Sequence, residues 1–90
     1  GKALAKGLAD SLINNIAHYL ANPLRSKTKL ACWVTDQLND RVWDKAATLL
    51  DDEKYKAIKT RDAASLILLA TEKYKASRLF YTVMLFMRYL

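Results

Sequence analysis

Glycine and proline are so scarce in this chain that its choice of fold is narrow. The 90 residues contain two glycines and one proline. A β-sandwich or β-barrel reverses direction many times, and its tight turns draw heavily on these residue types. Hydrophobic residues make up 52% of the sequence, which at this length suffices for one core. The sequence therefore predicts an all-α fold, a small helical bundle over residues 1–90, with an N-terminal helix in residues 1–22 and the main body in residues 26–90.

Apolar residues recur at helical spacing in the first half of the chain. In residues 4–21 they stand at every fourth position, and Asn22-Pro23 ends this helix because proline lacks the amide that a helix uses. Ser26 or Thr28 is expected to cap a second helix. The apolar stripe of that helix consists of Leu30, Val34, Leu38 and Val42, closed by Trp43, with Trp33 beside it.

An acidic run and a long apolar pattern follow. The carboxylates of Asp51, Asp52 and Glu53 suit the free amides and the positive end of a helix dipole. We expect Tyr55 to point inward from the short helix that follows, and Asp62 or Thr60 to cap the last helix. The C-terminal stripe consists of Ala76, Leu79, Phe80, Val83, Met87 and Leu90. This pattern predicts four helices, or five if residues 71–75 break the last one.

Candidates for catalysis or metal binding are few. Cys32 is the only cysteine and His18 the only histidine, so the chain has neither an intramolecular disulfide nor a thiolate or His-rich metal cluster. We interpret Cys32 as a small buried hydrophobe and His18 as a half-buried structural residue. The acidic run lacks the alternating oxygen ligands and the glycine of a calcium loop. The sequence predicts no catalytic residue, no cofactor and no metal.

Basic residues outnumber acidic residues in this chain. Fifteen basic and nine acidic residues give a formal net charge of +6, and Lys54, Lys56, Lys59 and Arg61 form one candidate basic patch. Such a patch raises the alternatives of a nucleic-acid binder or a weak contact with anionic phospholipid. Acidic residues alternate with the basic groups, however, and no phosphate-binding glycine loop or RNA-binding aromatic motif accompanies them. The sequence favours a solvated helix surface and disfavours nucleic acid.

The last helix carries a second apolar stripe. Tyr81, Leu85 and Tyr89 follow one another at four-residue intervals, so this helix is apolar on two sides. Such a helix is either central in the fold or partly exposed for a partner. Aromatic and arginine residues dominate protein interfaces. We therefore predict that Tyr81 and Leu85, flanked by Arg78 and Arg88, contact a partner protein or a second copy of the chain.

The middle of the chain has a more specific order of residues. It runs through Leu30-Ala31, Gln37-Leu38, Trp43, Asp51-Asp52, Tyr55, Ile58 and Lys59. This order resembles the WY domain of oomycete RXLR effectors, in which a helix ending in tryptophan is followed by a polar turn, an acidic cap and a short helix with aromatic and aliphatic core residues. The tyrosine of the family's name would be Tyr89 or, as second choice, Tyr81.

The resemblance covers most of residues 30–90 and implies a WY-like bundle in which Trp43 and Tyr89 determine the fold. Trp33 and Tyr55, bulky residues at helical spacing, are expected to fill the core. The resemblance also implies a protein that a pathogen secretes and that acts inside host plant cells. There it would bind host proteins of ubiquitination, signalling or cell death and modulate immunity without catalysis.

Caspase-recruitment domains of the death-fold group are a second resemblance. Residues 49–55, followed by Thr60-Arg61, look like their middle helices, and that fold is also an all-α adaptor of similar length. Helix one sits too far upstream for this family, and a sixth helix would have to follow. The effector interpretation is therefore preferred, a cytoplasmic signalling adaptor is the alternative, and a basic binder of nucleic acid or phospholipid ranks third.

Overall fold

Five α-helices account for most of residues 1–89, the part of the chain that the structure, a computed structural model, describes. They are α1 (Lys2–Leu20), α2 (Lys27–Leu38), α3 (Val42–Ala46), α4 (Lys56–Lys59) and α5 (Ala63–Met87). Two short 3-10 helices, Ala47–Leu49 and Glu53–Tyr55, lie between α3 and α4, and these 89 residues contain no strand. The predicted all-α fold is confirmed. Leu90, predicted as the end of the C-terminal stripe, lies outside the described residues.

The break that raises the number of helices from four to five lies in the middle of the chain. Residues 71–75 do not break the last helix, because α5 runs through them without interruption. A turn separates α2 from α3 instead, and there the Asp40 carboxylate accepts a 2.9 Å hydrogen bond from the amide of Val42. The apolar stripe predicted for a single second helix is therefore divided between α2 and α3.

Side-chain caps determine where α2 and α5 begin. The Ser26 hydroxyl accepts a 3.3 Å hydrogen bond from the amide of Lys29. Asp62 accepts hydrogen bonds from the hydroxyl and the amide of Ser65, at 2.7 and 3.1 Å, and these bonds lower the pKa of Asp62 below its ordinary value. Each cap satisfies an amide that has no partner within its own helix. Of the predicted alternatives, Ser26 and Asp62 are thus the caps.

The core brings together α1, α2, α3, α4 and the first half of α5. Its largest fully buried side chains are Ile16, Leu30, Val34, Leu38, Leu50, Tyr55, Ile58 and Leu66. Trp43 is only 4% exposed, and Tyr55 is buried deeper still, so the burial expected from their positions in the apolar pattern is confirmed. The first helix contributes five buried residues, which makes it an integral wall of the core.

The second half of α5 leaves this core. All residues from 75 to 89, called the C-terminal arm below, are exposed. The molecule measures 50 × 30 × 16 Å, and its radius of gyration is 14.8 Å, against about 12 Å for a compact domain of this length. Leu79, Phe80, Val83 and Met87 of the predicted C-terminal stripe therefore lie outside the core. Within residues 1–89 no neighbouring helix extends far enough along α5 to cover them.

Four further predictions of burial are corrected. Tyr89 is 90% exposed at the end of the arm, so the expectation that it determines the fold is wrong. Trp33 is 36% exposed and lines a surface groove. Cys32 and His18 are exposed as well. Helix α2 buries a single stripe: Trp33, next to Val34, is turned by about 100° from it, and Cys32, two residues from both Leu30 and Val34, lies on the opposite side.

Candidate functional site

The residues predicted to contact a partner lie together on one side of the C-terminal arm. Arg78, Tyr81, Leu85 and Arg88 follow one another by three or four residues, so they share a helix face, called the inner face below. Tyr81 is 64% and Leu85 40% exposed, and both arginines are exposed. The arrangement combines an apolar centre with a cation at each end.

The inner face continues the stripe by which α5 packs into the core. Leu66 and Ala70 are fully buried, Tyr74 is half-buried, and the next positions at helical spacing belong to the inner face. The Arg78 guanidinium donates a 2.9 Å hydrogen bond to the Tyr74 hydroxyl, which joins the two regions. The inner face is thus a core-type stripe that has lost its partner helix.

A groove of about 530 Å³ lies between the end of α1 and the beginning of the arm. It is lined by Asn14, Ala17, His18, Ala21, Lys73, Tyr74, Ser77, Arg78 and Tyr81. Lys73 donates a 2.5 Å hydrogen bond to the amide oxygen of Asn14, which holds the two helices together beside the groove. Alanine and tyrosine surfaces with two flanking cations suit an apolar segment that carries an acidic side chain. The wall that α1 contributes was not predicted, because the helical spacing of residues 4–21 does not tell which helix lies beside α1.

A neighbouring groove of about 570 Å³ contains Trp33. The Tyr19 hydroxyl donates a 3.0 Å hydrogen bond to the carbonyl of Ser26, and the Arg25 guanidinium lies 4.8 Å from the centre of the Tyr19 ring. These contacts hold the loop between α1 and α2 against the last turns of α1. His18 lines both grooves, so they meet at the same end of the molecule.

Two members of the predicted basic patch donate hydrogen bonds to backbone carbonyls. Lys59 donates a 2.8 Å hydrogen bond to the carbonyl of Leu50, and Arg61 donates one of the same length to the carbonyl of Ile58. A second guanidinium nitrogen of Arg61 lies 3.8 Å from the Asp44 carboxylate. Both cations therefore stabilise the chain around α4.

The other two members lie beside acidic groups. The Lys54 ammonium is 4.0 Å from the Asp10 carboxylate and 5.0 Å from the centre of the Tyr55 ring, and its interaction with the Tyr55 hydroxyl raises the pKa of Lys54. The Lys56 ammonium is 3.9 Å from the carboxylate of Glu53. The four basic residues thus form local pairs, and their geometry offers a phosphate group no concentrated cluster of free cations.

The acidic run has structural roles. Asp51 forms an ion pair with Lys2 at the start of α1, and this hydrogen bond lowers the pKa of Asp51. Asp52 accepts a 3.2 Å hydrogen bond from the amide of Lys54 and so caps the 3-10 helix before α4, as predicted. These contacts tie the connection between α3 and α4 to the beginning of the chain.

The arm also has an apolar outer face, opposite the inner one. It comprises Leu79, Phe80, Val83, Phe86 and Met87, all exposed. Four of these residues belong to the predicted C-terminal stripe, whereas Phe86 belongs to neither predicted stripe. Placing all residues of the arm at 100° intervals would have found Phe86, because it falls within about 20° of Leu79 on the helix circumference.

The part of the chain that the structure describes holds no group of three or more histidine, cysteine or carboxylate side chains that could ligate a metal ion. In the same residues, no helix combines the length and the apolar character needed to cross a membrane.

The chain matches no protein-family model, no curated protein and no solved structure. The arm and its two grooves are therefore interpreted from their own chemistry.

Proposed function

We propose that this chain is a non-catalytic binding domain that holds a partner protein on the inner face of its C-terminal arm. The observation that carries the proposal is the continuation of a core-facing stripe, beyond Tyr74, into exposed Tyr81 and Leu85. A stripe of this kind is completed when another apolar element packs against it. Arginine and tyrosine beside that stripe are among the residues that supply most of the energy at interfaces.

The partner that fits is an amphipathic helix with acidic residues on its flank. Its apolar side would lie against Tyr81 and Leu85 and enter the groove beside Ala17 and Ala21. Its carboxylates would meet Arg78, whose guanidinium is already oriented by Tyr74. Charge complementarity of this kind selects the partner and speeds the encounter more than it adds affinity.

We further propose that the partner is a host plant protein and that the chain is the helical domain of a secreted pathogen effector. This rests on the resemblance of residues 30–59 to WY domains. The burial of Trp43 and Tyr55 in one core supports it, because these are two of the residues on which that resemblance depends. The exposed position of Tyr89 weighs against assigning it the family's tyrosine.

Photo-crosslinking in plant cells tests both proposals. A photoreactive residue placed at Leu85 or Tyr81 should give the same protein adduct, and one placed at Lys45, exposed on α3, should not give it. The Arg78→Glu substitution, introduced into the protein that carries the photoreactive residue, should remove the adduct. The circular-dichroism spectrum of this variant should remain helical. Adducts that are identical at all three positions, or absent at Leu85 and Tyr81, would contradict the proposed surface.

A further inference from the structure

The outer face of the arm is a large apolar surface directed away from the body of the protein. The inner face continues the core-facing stripe, so the residues opposite it, Leu79, Phe80, Val83, Phe86 and Met87, point outward. With roughly 150–250 Å² per aromatic side chain, the five expose on the order of 600 Å² together, the upper end of what a soluble monomer presents as one patch. Thr82 and the two arginines lie outside this face, so it contains no polar side chain.

Net positive charge is confined to the same end of the molecule. The segments 17–31 and 73–89 contain no aspartate or glutamate, and their cations are Arg25, Lys27, Lys29, Lys73, Lys75, Arg78 and Arg88. The rest of the chain has eight cations and nine carboxylates, so it is close to neutral. The two segments are neighbours in space, because the end of α1 lines a groove with each of them. The whole excess charge of +6 therefore lies at the end of the molecule from which the arm extends.

We propose that this end of the protein binds the surface of an anionic lipid membrane, with the outer face of the arm lying in the interface. An apolar helix face enters the boundary between headgroups and acyl chains to about 5–10 Å, while flanking lysines and arginines contact anionic headgroups. Phe80 and Phe86 supply the apolar part of this contact, and Lys27, Lys29 and Lys75 supply exposed charge at the same end of the molecule. Leu24, which is exposed beside Arg25 in the loop between α1 and α2, adds a second apolar contact.

The positive charge at this end of the protein favours a membrane over a second copy of the chain as the partner of the outer face. Two copies that met through their arms would bring together the segments 17–31 and 73–89 of each chain, which carry seven cations and no aspartate or glutamate, and like charges at an interface oppose association. An anionic membrane complements both properties of this end, its apolar face and its cations. The inference does not depend on the protein partner, which uses the opposite face of the helix.

Vesicle co-sedimentation of the full chain tests this inference. Phosphatidylcholine vesicles with about one-quarter phosphatidylserine should retain the protein, and pure phosphatidylcholine vesicles should retain far less, with binding that weakens as salt rises. Phe86→Asp on the outer face should lower the partition coefficient at least about tenfold, because it places a charge in the apolar contact. Leu85→Asp on the inner face is its matched control and should change partition much less.

A second pair of variants separates local charge from total charge. Replacing Lys27, Lys29 and Lys75 by glutamate should lower partition into the anionic vesicles about a hundredfold or more. The same change at Lys6, Lys45 and Lys56, exposed residues of the neutral part, alters net charge equally and should have a much smaller effect. Equal losses in the two triple variants, equal binding to neutral and anionic vesicles, or binding to duplex DNA alone would overturn the proposal. Concentration-dependent dimerisation without vesicle binding would assign the outer face to a second copy.

Discussion

The hydroxyl of Tyr55 donates a 2.8 Å hydrogen bond to the carboxylate of Asp10, across 45 residues of sequence. The Tyr55 ring is buried in the core, whereas the Asp10 side chain is about half-exposed, so the bond reaches from the interior to the surface of α1. A buried hydroxyl that lacks a partner is costly, and Asp10 removes that cost. The bond therefore fixes the position of α1 on the remainder of the bundle.

Replacing Tyr55 by phenylalanine should measure the strength of this bond. The ring and its packing are kept, and Asp10 regains water, so we expect the free energy of unfolding to fall by about 1 to 2 kcal/mol. Urea denaturation followed by circular dichroism gives the value. Tyr81→Phe, which alters an exposed hydroxyl, is the control and should leave the midpoint unchanged. A Tyr55→Phe protein as stable as the wild type would show that the bond contributes nothing.

Stability at alkaline pH should also depend on Tyr55. Burial, together with the hydrogen bond to Asp10, raises the pKa of Tyr55 above its ordinary value of 10.0. The folded state favours the neutral phenol. The contribution of Tyr55 to the free energy of unfolding is therefore complete below pH 10 and is lost as the pH rises through the folded-state pKa. Thermal melts between pH 9 and pH 12 should show the melting temperature falling more steeply for wild type than for Tyr55→Phe. Lysines titrate in both proteins, so parallel profiles would exclude Tyr55 as the cause.

The two tryptophans should differ sharply in their contribution to stability. Trp43 is almost completely buried, and Trp43→Ala should cost about 3 to 5 kcal/mol, a large share of the stability of a small domain. Trp33 lies at the edge of a groove, so Trp33→Ala should cost clearly less. Thermal and urea unfolding of the two variants compare the same substitution at two depths. Similar losses at both positions would mean that Trp33 belongs to the core after all.

The positions of the helix starts could be predicted because capping is a local interaction. Ser26, Asp52 and Asp62 each bind an amide two or three residues further along the chain, so the short sequence around each cap contains both partners. The burial of Trp43 followed from its position on an apolar stripe. These predictions needed no knowledge of which helices become neighbours in space.

Exposure of the C-terminal arm could not be predicted in the same way. A stripe such as Leu79, Phe80 and Val83 tells which residues share a helix face, but not how far the adjoining helices extend. That limit depends on tertiary structure: α1 spans 19 residues and α5 spans 25, and the core-facing stripe of α5 is buried only as far as Ala70. Cys32 was misplaced for a related reason, since its small apolar side chain favours burial but its position on α2 faces solvent.

Arg61 adopts a backbone conformation that glycine would adopt more easily. Its φ is 56°, and the amides of Arg61 and Asp62 close the end of α4 by binding the carbonyls of Ile58 and Ala57. The left-handed conformation costs a non-glycine residue about 1 kcal/mol. Arg61→Gly should therefore be more stable than Arg61→Ala by about that amount in urea unfolding, and since both lack the guanidinium, the difference isolates the backbone. Equal stabilities of the two variants would contradict a left-handed residue at this position.

The same substitution should change the free energy of unfolding by very different amounts in the two halves of α5. Leu66→Ala removes a fully buried side chain and should cost about 2 to 5 kcal/mol, because the cavity it leaves is only partly refilled. Leu79→Ala truncates a side chain of the same type in the same helix, but Leu79 lies on the exposed outer face, so we expect a change of no more than about 0.5 kcal/mol. Denaturation at two protein concentrations makes the comparison decisive. A large loss for Leu79→Ala that grows with protein concentration would mean that the outer face is covered by a second copy in solution, and a large loss independent of concentration would mean that the arm folds back onto its own core.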